Sequence, residues 1–285
     1  MENLIQRPHT SNTKKILVDE DGDILVQRTK DYKQNTEASI IIEHQLSTDL
    51  ANVGMQMWRG SFYLSDYLFD VRNKHLMNEI CTENGGVWLE LGAGVGLVSI
   101  VSALVQPKYH ERHIFTTDIA EVISLTRRNI QRNVSDLSSL IDVFPLNVNQ
   151  TEVSRISECD VELILAADLI YDDSLTDDII KTIQRLILQQ YSRQTPKKIV
   201  QTSKLLTCLF SIEKRFNFTI RKLDVSAHAY DYFLQRLGEL NEIITTLYNE
   251  LSILYSTLDT KVHQWFCNER SKDLVIIKIE VMISQ

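Results

Sequence analysis

The sequence predicts a doubly wound α/β fold, in which helices cover both faces of a mostly parallel sheet. From about residue 58 onward, short apolar runs typical of buried strands alternate with segments of helical periodicity. Alternation of this kind builds parallel sheets. In addition, five of the nine glycines fall within residues 85–96, around the first of these runs. Such a cluster indicates that the backbone turns tightly there or closely approaches another group.

Six strands are predicted from short runs of apolar and β-branched residues. In chain order they are residues 86–91, 113–118, 142–146, 161–167, 207–212 and 274–282. The run at 142–146 is the weakest, and the run at 207–212 is the second half of a longer stretch that starts at residue 199.

The helices between these strands are predicted from apolar residues that recur every three or four positions. Residues 97–105 form an apolar helix directly after the glycines. The next helix follows residue 118 and carries Val122, Ile123 and Ile130. Another begins at Ser174, where Ser-Leu-Thr-Asp fits a capping box.

The chain divides into two regions by composition. Residues 1–50 are polar and mixed, and we expect a partly flexible extension with short strands at 15–18, 24–26 and 39–44. Residues 51–285 are expected to form one large domain.

The charge balance bears on the class of partner. There are 30 Lys and Arg against 38 Asp and Glu, which gives a formal charge of −8. This balance argues against a surface built for nucleic-acid phosphates or anionic membranes. It favours a basic partner.

Cysteine usage and the N-terminus indicate an intracellular protein. The four cysteines lie far apart, which argues against a metal knuckle or a disulfide framework and predicts buried thiols. The histidines, including His110 and His113, show no convincing ligand spacing, so no metal is expected. Residues 1–8 lack the apolar core of a signal peptide, and no apolar run approaches the ~18 residues of a membrane span. Residence in the nucleus, the cytoplasm or both is open.

The glycine loop after the first predicted strand is the strongest indication of a ligand. Glu90-Leu91-Gly92-Ala93-Gly94-Val95-Gly96 contains GxGxG, whereas dinucleotide enzymes favour GxGxxG, and Leu97 stands where their last glycine would be. Glycines at this position let the backbone pass close to a ligand at the carboxyl end of the strand. An acidic flank such as Glu90 suits S-adenosylmethionine, which carries a sulfonium and an ammonium and lacks a pyrophosphate.

Asp118 is the second candidate ligand contact, because it ends the second predicted strand. A carboxylate there can accept hydrogen bonds from both hydroxyls of a ribose. The alternative is that Asp118 only caps the helix that follows. Its pairing with the glycine loop on the preceding strand favours ligand contact.

Asp168 and Tyr171 follow the fourth predicted strand and are expected to face the same crevice. We interpret them as groups that orient a nucleophile against a methyl group, and the alternative is a solvated acidic turn. Asp168-Leu169-Ile170-Tyr171 lacks the prolines of the turn used to methylate amino groups of nucleic-acid bases, and no cysteine lies in a Pro-Cys context. A protein substrate is therefore favoured over direct nucleic-acid binding.

Three motifs together resemble a known family. These are Gly92-Ala93-Gly94 within LELGAGxG, Asp168-x-x-Tyr171, and Trp58-Arg59-Gly60. They look like the seven-β-strand protein-lysine methyltransferases of family 16, and further similar stretches run through most of the chain, at residues 19–23, 42–44, 53–60, 210–218 and 223–231. The resemblance implies a Rossmann-like methyltransferase domain over residues 51–285, with S-adenosylmethionine as cofactor and a lysine side chain as acceptor.

The resemblance also implies roles for single residues. Trp58 would pack beside the cofactor, Asp118 would hold its ribose, and Asp168 and Tyr171 would align the target amine. The residues that would line the cofactor elsewhere are Glu90, Gly92, Ala93, Gly94, Gly96 and Ala167.

Two departures from the family pattern stand out. The family usually has a tryptophan near the end of the third strand to flank the adenine, whereas this chain has Leu146-Asn147-Val148. Val148 offers an apolar contact without stacking, and Asn147 can hydrogen-bond an adenine edge, so weaker cofactor binding is expected. The stretch at 197–206 is interpreted as an insertion.

A stripe of apolar residues near the C-terminus indicates a possible docking surface. The residues recur at alternating intervals of four and three, as in a heptad pattern: Phe233, Leu237, Leu240, Ile244, Leu247, Leu251 and Leu254. One interpretation is a helical pair packed on the domain. The other is a surface for the substrate or a partner helix along residues 233–254.

Two alternative functions remain open from the sequence. A nicotinamide-dependent (NAD) oxidoreductase is disfavoured by GxGxG and by the lack of a hydride-transfer constellation. A catalytically silent methyltransferase-fold binding protein is kept open by Val148 and by the apolar stripe. The resemblance further implies a nuclear, nucleic-acid-associated protein as substrate.

Overall fold

The computed structural model describes residues 2–4, 39–48, 50–70, 86–106, 112–148, 154–194, 203–219, 224–258 and 261–284. The strands expected at 15–18 and 24–26 lie outside these residues, as does most of the proposed insertion. The described strands are β1 (Glu2–Leu4), β2 (Ile41–Glu43), β3 (Val87–Leu91), β4 (Ile114–Asp118), β5 (Ile141–Pro145), β6 (Val161–Ala167), β7 (Ser203–Glu213), β8 (Asn217–Thr219), β9 (Asp224–Ser226), β10 (Leu251–Thr257) and β11 (Leu274–Ile283).

The α-helices are α1 (Arg59–Phe69), α2 (Leu97–Val105), α3 (Ala120–Asn133), α4 (Ser154–Ser157), α5 (Asp173–Gln194) and α6 (His228–Leu247). Two 3₁₀ helices span Leu50–Met55 and Ser135–Leu140. Helix α5 begins one residue before the expected Ser174, because the Asp172 carboxylate accepts the Leu175 N–H at 2.9 Å and caps it.

Seven strands form one large sheet in the order β10-β11-β7-β6-β3-β4-β5. The five strands from β7 to β5 run parallel, and β11 is antiparallel to both of its neighbours. The chain moves outward from β3 to β4 and β5, then crosses back to β6 on the other side of β3. The carboxyl ends of β3 and β6 therefore flank the topological switch point, where ligands bind in such sheets.

Helices cover both faces of the sheet, as the strand–helix alternation predicts. On one face α1, α2 and α3 bury residues such as Leu64, Ile100 and Leu125 around Trp88. On the other face α5 and α6 bury their apolar sides in a cluster that includes Leu89 and Leu91. The predicted doubly wound, mostly parallel α/β fold is confirmed.

The apolar stripe along residues 233–254 packs on the domain over its first four residues, whereas the interpretation as a docking surface for a partner helix is wrong. These four residues lie on α6 and are buried against the sheet, but the helix ends at Leu247, whose surface is 64% exposed. Leu251 then begins strand β10, in which Leu254 is 58% exposed. The spacing continues through a chain reversal, so no continuous helical surface exists there for a partner helix.

Strand β10 was missed for the same reason, and β7 is longer than expected. Strand β7 starts at Ser203, ahead of the predicted residue 207, because its first residues pair with the end of β11.

Among the cysteines that the structure describes, Cys208 is buried, Cys159 is half-buried and Cys267 is exposed, so the expectation of buried thiols is wrong for Cys267.

The segment at 39–48 packs on the main domain. Strand β2 pairs with β1, and two asparagines of α3 bind its backbone on the other side. The side-chain Oδ1 of Asn133 accepts a hydrogen bond from the Ile41 N–H at 2.7 Å, and Oδ1 of Asn129 accepts one from the Glu43 N–H at 2.9 Å. These hydrogen bonds hold the strand predicted at 39–44 against helix α3.

Candidate functional site

The glycine loop between β3 and α2 adopts a backbone that requires glycine. Gly92, Gly94 and Gly96 have φ angles of +62°, +54° and +86°, a region that other residues rarely enter. A β-carbon on Gly94 would lie 2.9 Å from the carbonyl oxygen of Gly54, so the loop lies flat against the 3₁₀ helix before α1. The Ala93 N–H donates to the Thr117 carbonyl at 2.9 Å, which ties the loop to β4.

Asp118 links the end of β4 to this loop. Its Oδ2 accepts the Gly94 N–H at 2.7 Å, and its Oδ1 accepts the Ile119 N–H at 2.7 Å. Burial raises the pKa of the Asp118 carboxyl, and these two bonds oppose the rise. Helix α3 has Ile119 at its N-cap and no side-chain cap hydrogen bond, so Asp118 is not the cap of this helix.

Glu90 lies beneath the loop, facing α2. Its carboxylate accepts a hydrogen bond from the Ser99 hydroxyl, which also contacts the Thr116 hydroxyl at 2.6 Å. Burial raises the pKa of Glu90 to about 8, and the nearby Asp118 carboxylate adds to the rise. Its direct contact with a cofactor stays a prediction.

Asp168 connects three elements at the carboxyl end of β6. Its Oδ2 accepts the Gly60 N–H of α1 at 2.5 Å, and its Oδ1 accepts the Glu213 N–H of β7 at 3.1 Å. A β-carbon on Gly60 would lie 2.6 Å from this carboxylate, so only glycine permits the approach. Asp168 has a φ of +51°, the one positive value of a non-glycine residue in the described part of the chain. Burial raises its pKa, whereas the two N–H donors and the Arg215 charge lower it.

Trp58 stands beside Asp168 at the start of α1. Its indole N–H donates to the Val53 carbonyl at 2.9 Å, and the ring is half-buried. The Arg215 guanidinium carbon lies 5.1 Å from the ring centroid, within the range of a cation–π contact. Arg59 pairs with Glu213 at 2.9 Å, so α1 and the end of β7 are joined on their outer side as well.

Tyr171 lies at the rim of the crevice, with 45% of its surface exposed. Partial burial raises the pKa of its phenol, as do the Asp118 and Asp172 carboxylates, while the Arg215 charge lowers it. The hydroxyl is therefore close enough to feel the charge of Asp118, which is bonded to the glycine loop, and that of Arg215, which lies on Trp58.

The residues after β5 lie next to the end of β4. The Leu146 N–H donates to the Asp118 carbonyl at 2.8 Å, which places the end of β5 next to the carboxyl end of β4. Val148 is half-buried against the core of the α5 side, and Asn147 is half-buried beside it. Ala167 ends β6 opposite Ser211 of β7.

The donors and charges of this crevice fit S-adenosylmethionine better than a dinucleotide. The cradle formed by Gly92 and Gly94 has no room for side chains, and the Asp118 carboxylate would repel a pyrophosphate. Leu97, where a dinucleotide site has its third glycine, is fully buried. Nowhere in the described residues do three or more His, Cys, Asp or Glu side chains form a group that could hold a metal ion.

Sequence reasoning missed three residues that shape the site. Gly54 supports the glycine loop, Gly60 receives the Asp168 carboxylate, and Arg215 covers Trp58. All three lie in stretches already singled out by the resemblance, the glycines within 53–60 and Arg215 within 210–218, but nothing in the sequence indicates that Arg215 would contact Trp58. No helix in the described part of the chain is long and apolar enough to span a bilayer.

Comparison with known proteins extends these observations. A family model described as lysine methyltransferase matches residues 34–204. The chain is 30% identical to methyltransferase-like protein 22 of Mus musculus over 285 residues, covering 93% of this chain and 65% of that protein. It is 31% identical to the Homo sapiens protein of that name, covering 93% and 62%. Protein N-lysine methyltransferase METTL21A of Xenopus tropicalis is 28% identical, covering 58% of this chain and 72% of that protein.

The chain thus spans less than two thirds of the length of the two methyltransferase-like proteins that it resembles. The family model covers more than half of the chain, including the glycine loop, Asp118 and the Asp168–Tyr171 motif. The resemblance seen in the sequence is confirmed, and the chain belongs to the lysine methyltransferase family.

Proposed function

We propose that the protein is an S-adenosylmethionine-dependent methyltransferase that acts on a lysine side chain of a protein substrate. The observation that carries the proposal is the junction of Asp118 with the glycine loop at the switch point of the sheet. Membership in the lysine methyltransferase family supports the same reaction.

The cofactor would lie over the carboxyl ends of β3, β4 and β6. Gly92, Ala93 and Gly94 would line it, with Gly96 shaping the loop, and Asp118 would accept hydrogen bonds from the ribose. Its other contacts would be Trp58, Asn147, Val148 and Ala167, with Glu90 beneath the loop. When bound, S-adenosylmethionine supplies a methyl group whose carbon forms a bond to the amine nitrogen as its bond to sulfur breaks, and the sulfur keeps the electron pair.

The residues of this chain then have to present a neutral amine in line with that carbon. A lysine ammonium has a pKa of about 10.4 in water and must first lose its proton, which water can carry away. Alignment of the reacting atoms can contribute roughly 7–11 kcal/mol at best. Tyr171 is the group at the rim that would contact the amine. Asp168, with both oxygens bonded to backbone N–H groups, would act by holding α1 and Trp58 against the site.

We further propose that the substrate is a basic, nucleic-acid-associated protein of the nucleus. The net charge of −8 favours a basic protein over a bare nucleic acid as the bound partner. Residence in the nucleus, in the cytoplasm or in both would be compatible with such a substrate.

Calorimetric titration tests the cofactor. S-adenosylmethionine and NADH are titrated separately into the wild-type protein, Asp118→Ala and the control Asp136→Ala, which changes an exposed acid in a 3₁₀ helix. We expect saturable binding of S-adenosylmethionine alone, lost in Asp118→Ala and kept in Asp136→Ala. Binding of neither ligand would favour the catalytically silent binding protein, for which Val148 in place of a tryptophan is the supporting observation.

A further inference from the structure

Arg215 brings a positive charge to the mouth of the site. It lies just past the end of β7, two residues after Glu213, whose N–H is bonded to the Asp168 carboxylate. Its guanidinium group rests on the face of Trp58, 5.1 Å from the ring centroid. One cation is thereby held where the ends of β6 and β7 meet the start of α1.

The neighbouring charges are mostly negative. Asp168 and Asp172 lie just after β6. Asp118 lies at the end of β4, and its charge raises the pKa of Tyr171. Glu213 of β7 also faces this corner, but it is paired with Arg59 of α1, which in turn reaches Glu269 at 3.4 Å.

The field of Arg215 reaches both residues of the motif near the acceptor position. It lowers the pKa of the Asp168 carboxyl and of the Tyr171 phenol, so it favours a negative charge on either group. The same field disfavours a positive charge brought to this place. A lysine presented between Asp168 and Tyr171 would otherwise be held as an ammonium by the carboxylates around it.

We propose that the positive charge of Arg215 increases the fraction of the target lysine that is neutral and nucleophilic. The inference rests on the proposed function, because it concerns the acceptor of that reaction. Arg215 acts through its charge and needs no contact with the cofactor. It offsets the carboxylates that would stabilise the ammonium, so the proton leaves to water at a lower pH.

The matched variants are Arg215→Gln, which removes the charge, and Arg215→Lys, which keeps it. The control is Lys214→Gln, which removes the adjacent cation that lies 4.2 Å from the ring centroid of Tyr230 instead. We expect the acidic limb of the kcat/KM profile of Arg215→Gln to move upward by roughly half to one pH unit. That shift is a roughly three- to tenfold loss at neutral pH that is regained at high pH. Arg215→Lys and Lys214→Gln should follow the wild-type profile.

A second readout needs neither cofactor nor substrate. With ¹³Cζ-labelled tyrosine, the Tyr171 resonance, assigned by its loss in Tyr171→Phe, is followed by NMR as pH is raised. Arg215→Gln should raise the pKa of Tyr171, and Lys214→Gln should leave it unchanged. If the pKa of Tyr171 is the same in the wild-type protein and in Arg215→Gln, the charge of Arg215 does not act on this part of the site and the proposal is overturned.

The remaining outcomes are equally distinct. A loss of activity in Arg215→Gln that is the same at every pH, or a weaker cofactor Kd by calorimetry, would overturn the proposal and make Arg215 a binding residue. Failure of the proposed function is visible separately, as wild-type protein that binds no S-adenosylmethionine while the Tyr171 shift is still observed.

Discussion

Glu90 makes the stability of the protein depend on pH. The residue is 2% exposed, and burial raises the pKa of its carboxyl group from the ordinary 4.5 to about 8. The folded protein therefore holds this proton more tightly than the unfolded chain does. The contribution is fully favourable below pH ~4.5, declines as pH rises, and is lost above pH ~8.

The magnitude follows from the two pKa values. A difference of 3.5, from 4.5 to about 8, corresponds to about 5 kcal/mol at ~1.4 kcal/mol per unit. Glu90→Gln replaces the carboxylic acid with a neutral group of the same shape, which Ser99 can still contact. We expect its free energy of unfolding to exceed that of the wild type by an amount that grows with pH, by at most ~1.4 kcal/mol per pH unit.

Urea unfolding in steps from about pH 5 to pH 9 measures this difference. Glu121→Gln, at an exposed position in the first turn of α3, serves as the control and should track the wild type. If the difference between Glu90→Gln and the wild type is constant across this range, the buried carboxyl is not protonated in the folded state and the reasoning fails.

Two further predictions concern the backbone around the site. Asp168→Ala leaves two backbone N–H groups without their acceptor, so it should lower the free energy of unfolding by roughly 2–4 kcal/mol. Asp168→Asn should lower it less. If urea unfolding shows no loss of stability for Asp168→Ala, Asp168 does not hold α1 and β7 together. Gly94→Ala combines a φ of +54° with a β-carbon 2.9 Å from a carbonyl oxygen, so we expect it to lose at least ~1 kcal/mol of stability, together with cofactor binding. The control is Gly238→Ala inside α6, where a β-carbon would have its nearest contact at 3.4 Å, and its stability should be unchanged or higher by up to ~1 kcal/mol. Thermal unfolding compares the two variants, and an equal change in their stability would contradict the prediction.

Most of the sheet could be predicted because its strands are marked locally. Strand β6 has the predicted bounds, since a run that is apolar except for Glu162 is enclosed by Asp160 and Asp168. The end of α6 could not be predicted, because its apolar spacing runs on into β10 and the reversal at 248–250 contains neither glycine nor proline. Local periodicity has no means of registering a turn that tertiary packing imposes.

The chemical groups at the ends of β3, β4 and β6 could be assigned from the sequence, because each follows directly on a recognisable strand. Their contacts could not, because they depend on the packing of distant elements. Asp168 binds backbone N–H groups 108 and 45 residues away, Glu90 faces the core, and Arg215 lies on Trp58. These contacts depend on how distant elements pack and in which direction each side chain leaves its backbone, and local propensity carries no information about either.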